Sequence, residues 1–154
     1  MRDRIDYWRL VAALAASAGC LVLSGCGNGL AQVSGNVSMD GQPLRGGPDM
    51  RVTIQFQPAN GVGSNAVGLA DENGNYVLGT GSQKGIPPGD YFVACSANEL
   101  VRTKDSNTVQ GSRTLADPKY ANAKTSGLKF TVQPGKNEFN IPLESPKTPA
   151  RRGT

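Results

Sequence analysis

An all-β fold, an antiparallel sandwich of seven short strands in two sheets, is what the sequence predicts. The first observation is composition: 20 Gly and 10 Pro among 154 residues, with only 6% aromatic residues, are typical of many turns and short strands. The second is the alternation of apolar and polar residues in short, fairly regularly spaced segments, which indicates strands with one buried face. A chain of this length forms one domain with a single core plus extensions.

The first two strands are predicted from this alternation. Residues 33–39 (VSGNVSM) alternate, and residues 40–41 (DG) supply a turn that tolerates positive φ. Residues 52–56 (VTIQF) alternate in the same way. Pro58 ends this second strand because it has no amide hydrogen to donate to a neighbour.

A hairpin is predicted next, with strands at residues 65–70 and 75–78 around a turn at residues 71–74 (DENG). The oxygen-bearing side chains of this turn also suggest a calcium loop. However, that motif places Gly at its sixth position, and Gly74 is fourth from Asp71. A plain turn is therefore the prediction.

The glycine-rich residues 79–85 (GTGSQKG) suggest a phosphate-binding loop, but such a loop requires a helix immediately after it. Residues 86–88 (IPP) follow instead, so a mobile loop is predicted. The two prolines then make a rigid entry to residues 91–95 (YFVAC). Because this segment is apolar on both faces, we expect it to lie centrally in a sheet.

The C-terminal part combines one long polar connection with two further strands. The connection spans residues 97–127, and Asp117 followed by Pro118 predicts a single helical turn over residues 117–122. Residues 128–132 (LKFTV) and 139–143 (FNIPL) then alternate as strands. Residues 145–154, with two Pro and three basic residues, are predicted to be disordered.

The N-terminal segment has the organisation of an export signal. Residues 1–9 are polar and carry three Arg, and residues 10–23 are uncharged and rich in Ala, Leu and Val. These fourteen apolar residues are short for a membrane span and suit a signal peptide. Leu23, Ser24 and Gly25 then precede Cys26.

This tetrapeptide resembles the lipobox of bacterial lipoproteins. The resemblance implies a signal peptide at residues 1–25, cleavage after Gly25, and acyl chains on Cys26, which would begin a tether of residues 26–31. Cys20 is a rival, but Ser17 stands three residues before it where the motif usually has Leu. An ordinary signal peptide or an uncleaved membrane anchor would also have this organisation. Gly27, where lipoproteins of the inner membrane often carry Asp, mildly favours the outer membrane.

A second resemblance covers residues 32–144. It rests on VSGNV (33–37), GQPL (41–44), FQP (56–58), DENGNY (71–76), PGDY (88–91) and GKN (135–137). These motifs resemble carboxypeptidase-regulatory-like domains, which are transthyretin-type sandwiches. Tyr120 followed by SGL (126–128) is similar to small bacterial envelope lipoproteins that carry the domain. The resemblance implies a prealbumin-like Greek key, and it informs fold much more than function.

No catalytic residue, cofactor or metal site is predicted. The chain has no His, which excludes Ser-His-Asp triads and histidine-based zinc sites. Ser126 and Lys129 match a Ser-x-x-Lys spacing, but on a strand this offset points the two side chains to opposite faces. Cys95 would be the one free thiol of the mature chain, and we interpret it as a small buried apolar residue.

We therefore predict a non-catalytic lipoprotein of the cell envelope. Its partners would be membrane lipid, through acylated Cys26, and other envelope proteins docked on the sandwich. Nucleic acid is not expected, because the charges are dispersed and no basic cluster is longer than two residues. The second hypothesis is a carbohydrate- or ligand-binding module that uses residues 97–127 and 79–85, with Tyr120 as the candidate stacking aromatic. The alternative interpretation of Tyr120 is that it plugs the end of the sandwich.

Overall fold

The computed structural model describes residues 29–103 and 108–147. The predicted signal peptide, Cys26 and residues 148–154 lie outside the described residues. The described chain contains twelve strands and one 3-10 helix, η1 (Pro118–Ala121). The strands are β1 (Gln32–Met39), β2 (Gln42–Pro43), β3 (Met50–Pro58), β4 (Ala66–Leu69), β5 (Asn75–Val77), β6 (Gly79–Thr80), β7 (Gln83–Lys84), β8 (Gly89–Arg102), β9 (Val109–Thr114), β10 (Lys129–Val132), β11 (Lys136–Glu138) and β12 (Ile141–Leu143).

Five strands form the first sheet, which is built around β1. One edge of β1 pairs antiparallel with β2 and β5, and the other edge pairs in parallel with β11 and β12. Asp40 and Gly41 connect β1 to β2 with φ values of 50° and 82°. Positive φ at both positions is what a two-residue hairpin turn requires, so the turn predicted here is confirmed.

Seven strands form the second sheet, and all of its strand pairs are antiparallel. The fourteen-residue strand β8 pairs along one edge with β3. Its other edge pairs with β10 near its start and with β9 near its end. β8 thus lies between β3 on one side and β9 and β10 on the other, which confirms the predicted central position of its strand, although residues 93–95 themselves pair with β3 alone.

The core lies between the two sheets and is centred on Phe56 of β3, which is fully buried. The Phe56 ring lies 5.8 Å from the Tyr91 ring and 6.1 Å from both the Phe130 and Phe139 rings, measured between centroids. Phe139 connects β11 to β12 in the first sheet, so this aromatic cluster joins the two layers. Within the ranges 29–103 and 108–147, no helix has the length and apolar character needed to cross a bilayer.

The all-β sandwich that the sequence predicts is confirmed, but its details differ. The described residues form twelve strands instead of seven. The last predicted strand, residues 139–143, forms only as β12 (Ile141–Leu143), and β11 (Lys136–Glu138) is an additional strand before it. The parallel pairing of β1 with these two strands also departs from the wholly antiparallel prediction. The prealbumin-like Greek-key connectivity stays a prediction.

The hairpin predicted around residues 71–74 is wrong, although the turn itself forms. β4 pairs with β3 and β6 in the second sheet, whereas β5 pairs with β1 in the first. The turn therefore carries the chain from one sheet to the other. Local sequence could not show this, because a strand's partner depends on which distant edge is free.

Two segments predicted as loops contain strands. Residues 79–85 include a short hairpin, β6–β7, with Thr80 paired to Gln83. The polar connection of residues 97–127 begins with the second half of β8 and continues into β9, so it starts as a two-stranded arm. All six side chains of β9 are exposed, and a strand with no buried face lacks the alternation that would predict it. The predicted helical turn is confirmed as η1, capped by Asp117.

Candidate functional site

The described chain enters the fold at one end of the sandwich. The Ala31 amide donates to the Ile86 carbonyl at 2.7 Å, and the Ile86 amide donates back at 2.9 Å. The Gln32 amide donates to the Gly135 carbonyl at 2.8 Å. Ala31 is fully buried, so the last residue of the predicted tether is already part of the core.

Five segments meet at this end, which we name the tether end. They are residues 29–31, 59–65, 81–82, 87–89 and 133–135. Strand pairing brings them together, since Pro58 lies opposite Tyr91 where β3 ends and β8 begins. Gly89 lies opposite Val132 where β10 ends. The Ala59 amide also donates to the Asp90 carbonyl at 2.9 Å.

The tether end contains an open cleft of about 450 Å³, lined by residues 58–60, 62–64 and 87–91 together with Thr80. Its polar groups are largely engaged within the protein. The Asn60 Oδ1 atom accepts from the Val62 amide at 3.0 Å, and the Tyr91 hydroxyl donates to the Pro87 carbonyl at 2.8 Å. The Asp90 carboxylate accepts from the Thr131 hydroxyl at 2.5 Å. These bonds order the cleft walls.

The sequence-predicted binding residues do not converge. Thr80 lines the cleft, but Tyr120 belongs to η1, which follows β9 in the chain, and it is only 6% exposed. The Lys119 ammonium lies 4.7 Å from the centroid of the Tyr120 ring. The proposal that Tyr120 stacks against a sugar is therefore wrong, because its ring is buried in the sandwich.

Ser126 and Lys129 do not form a catalytic dyad. The buried Ser126 hydroxyl lies 2.5 Å from the Val93 carbonyl and accepts from the Leu128 amide at 3.1 Å. The exposed Lys129 places its ammonium 5.5 Å from the centroid of the Phe92 ring. Each group has a different partner. Ser126 lies in the turn before β10, so the offset expected for two residues of one strand does not apply to this pair.

The turn at residues 71–74 is closed by its own backbone. The Asp71 Oδ1 atom accepts from the Asn73 amide at 2.8 Å and the Asn75 amide at 2.9 Å. These backbone hydrogen bonds, to Asn73 first, lower the pKa of the Asp71 carboxyl. Across the described residues, no group of three or more Cys, Asp or Glu side chains is placed to hold a metal ion.

Cys95 is a buried, unpaired thiol on β8, as predicted. It is 2% exposed, and this burial raises its pKa to about 12. Since the thiolate is the reactive form, the folded protein keeps the side chain inert at neutral pH. Burial likewise raises the pKa of the Tyr76 and Tyr91 hydroxyls.

We expect the free energy of unfolding to fall as pH rises from about 9 toward 12. The unfolded chain loses the Cys95 proton near the ordinary pKa of 9.0, whereas the folded chain retains it to about 12. The unfolded state then binds fewer protons, so stability decreases with pH by up to about 1.4 kcal/mol per pH unit for this group. Urea unfolding across this window measures the slope. Cys95→Ala should reduce it, and an unchanged slope would contradict the assignment.

Two surface features are not predicted from the sequence. One is the β8–β9 arm, whose outer strand has no buried face. The other is the scarcity of charge at the tether end: none of its five segments contains Asp, Glu, Lys or Arg, and Asp90 is the one charged residue that lines the cleft. The sequence does show that each of these five segments lacks charged residues. Only the strand pairing, however, shows that the five segments lie next to one another.

The fold defines the chain as a two-sheet β-sandwich. Comparisons with protein-family models and with curated proteins find no match. Among solved structures, the chain is similar to a DUF3823 family protein from Parabacteroides merdae, with 15% identity and a TM-score of 0.37 over 75% of this chain and 46% of that one. It is also similar to a 9R-lipoxygenase from Cyanothece PCC8801, with 14% identity and a TM-score of 0.37 over 82% of this chain and 18% of that one. The chain thus spans less than half of either structure.

Proposed function

We propose that this protein is a non-catalytic lipoprotein of the bacterial cell envelope, anchored through Cys26, whose β-sandwich docks other envelope proteins. Within that class we assign the sandwich to the carboxypeptidase-regulatory-like, prealbumin-like domains on the motifs quoted above. The observation that carries the proposal is the lipobox Leu23-Ser24-Gly25-Cys26, followed at once by a folded domain.

The short distance between the anchor and the fold supports this function. Ala31 is fully buried and hydrogen-bonded to Ile86, and it stands five residues after Cys26. Five extended residues span at most about 18 Å. Acyl chains on Cys26 would therefore hold the tether end next to the bilayer. More than one acyl chain gives stable anchoring, since each buried CH₂ contributes about 0.8 kcal/mol.

The β8–β9 arm is the surface we assign to protein docking. It starts where β3 ends its pairing, at Met50 opposite Glu99, and continues to Arg102. Ion pairs hold its base: Arg113 to Glu99 at 2.6 Å and Arg102 to Asp49 at 2.5 Å. An exposed strand such as β9 offers backbone groups to a partner strand, a common mode of protein recognition.

The test of the anchor is Cys26→Ser in the full chain. We expect intact-mass measurement of the wild-type protein to show a chain that begins at Cys26 and carries acyl chains. The variant should lose both the acyl mass and the cut after Gly25, because serine lacks the thiol that is acylated. Cys20→Ser is the matched control and should mature like the wild type.

The opposite result would contradict the proposal. If Cys26→Ser is cut at the same bond and has the wild-type mass apart from the single-atom change, Cys26 is not the acylated residue. If Cys20→Ser alone abolishes acylation, the anchor is the rival cysteine.

A further inference from the structure

We propose that the tether end of the sandwich rests directly on the lipid bilayer, with Val62 in contact with the interfacial region of the lipids. This inference rests on the proposed function, because it requires an anchor at Cys26. It goes beyond that function by assigning a membrane-contacting surface to the folded domain itself.

Charge is distributed very unequally between the two ends. The five segments of the tether end contain no charged residue. The opposite end, where β1 and β12 finish, carries charged residues in nearly every connecting segment. These are Asp40, Arg45, Asp49, Asp71, Glu72, Asp117 and Glu144. Bringing a charged side chain against a low-dielectric surface costs desolvation energy, whereas an uncharged surface avoids that cost.

The loop of residues 59–65 presents an apolar side chain at this end. Val62 is 73% exposed, more than any other large apolar residue in the described part of the chain. Its amide is held by the Asn60 side chain, and the Gly61 amide donates to the Pro58 carbonyl at 3.1 Å. Gly61 and Gly63 on either side adopt positive φ. The turn thus holds Val62 outward, where water would otherwise surround it.

Three charged residues adjoin the uncharged segments, and one of them, Asp90, also lines the cleft. Lys84 on β7 and Lys136 on β11 are exposed directly beside tether-end segments, as is Asp90 on β8. Lysine side chains beside an apolar contact can place their ammonium groups among lipid phosphates. The Asp90 carboxylate is turned toward the Thr131 hydroxyl.

The short tether indicates that the surface in contact with the tether end is the lipid bilayer. With Cys26 anchored, five residues hold Ala31 within about 18 Å of the acylated cysteine, too short a reach for a folded protein to lie between them. A second copy or a protein partner is better accommodated on the β8–β9 arm, which lies away from the tether. The uncharged end and the anchor point therefore face the same lipid surface.

The test uses tryptophan, because Trp8 is the only Trp of the chain and would be removed with the signal peptide. Val62→Trp and the control Val101→Trp, on the β8–β9 arm, are each purified from membranes. They are reconstituted in vesicles of phosphatidylethanolamine and phosphatidylglycerol that contain brominated phospholipid. We expect the bromolipid to quench the emission at position 62 and to leave the emission at position 101 unchanged. Contact with the lipids should also shift the emission at position 62 to the blue, because the indole enters a less polar environment. Detergent should abolish the difference.

Equal quenching at both positions, or none at position 62, would overturn the inference. If Cys26 proves to carry no acyl chains, the proposed function fails separately. The processed variants are then coupled through the Cys26 thiol to a maleimide lipid, and quenching at position 62 is still required.

Discussion

Replacing Gly35 with alanine is expected to lower the free energy of unfolding by about 3 kcal/mol or more. A Cβ atom at this position would overlap the carbonyl oxygen of Phe139 and lie 3.2 Å from the ring of Tyr76. The carbonyl cannot move away freely, because it accepts a hydrogen bond from the Tyr76 hydroxyl at 2.7 Å. Gly35→Ala therefore either strains the backbone of β1 or leaves a buried hydroxyl without its partner.

Gly111→Ala is the matched control for this substitution. Gly111 lies on the exposed strand β9, its φ is not positive, and an added Cβ would meet no atom within 4 Å. A surface change of this kind typically alters stability by less than about 0.5 kcal/mol. Urea unfolding followed by circular dichroism compares the two variants. Equal stability of both would show that β1 and Phe139 are not packed as described.

Phe56→Ala is expected to destabilise the protein by about 3–5 kcal/mol, the range seen when a buried Phe is truncated. Phe56 is fully buried, and its ring contacts three other aromatic rings, from Tyr91, Phe130 and Phe139. Because Phe130 and Phe139 come from different sheets, the cavity would weaken the contact between the layers. Thermal and urea unfolding both measure this loss.

Phe92→Ala separates this effect from the general cost of losing an aromatic ring. Phe92 follows Tyr91 on β8 and is only partly buried, with the Lys129 ammonium near its ring. Its truncation removes less buried surface and opens no enclosed cavity, so the loss should be clearly smaller. A Phe92→Ala variant as unstable as Phe56→Ala would contradict the placement of the core.

Local patterns in the sequence predicted the elements that local chemistry determines. Alternation placed β1 and β3, Asp40 and Gly41 identified the turn between β1 and β2, and Asp117 identified the cap of η1. The pairing of strands depends on residues that are distant in the sequence, so the sequence predicted the strand partners less completely than the strands themselves. Asp71 begins a real turn, but nothing near it indicates that β4 and β5 join different sheets.

The break between β11 and β12 was also not predicted from the sequence. Residues 139–143 alternate as one strand, yet the Asn140 Oδ1 atom accepts from the Asn36 amide at 2.8 Å where a backbone carbonyl would be expected. An Asn side chain that replaces a backbone group in a sheet leaves no periodic signal. For the candidate site, the sequence left open whether Tyr120 is an exposed stacking aromatic or fills the end of the sandwich, and only packing shows that it is buried.

The parallel pairing of β1 with β11 and β12 has a consequence for how the chain reaches its native state. Asn36 and Asn140, which are hydrogen-bonded across this pairing, stand 104 residues apart. Contacts between such remote positions close late, since they require the ends of the chain to meet. A chain synthesised from its N-terminus thus cannot complete the first sheet until residues 136–143 are available to pair with β1.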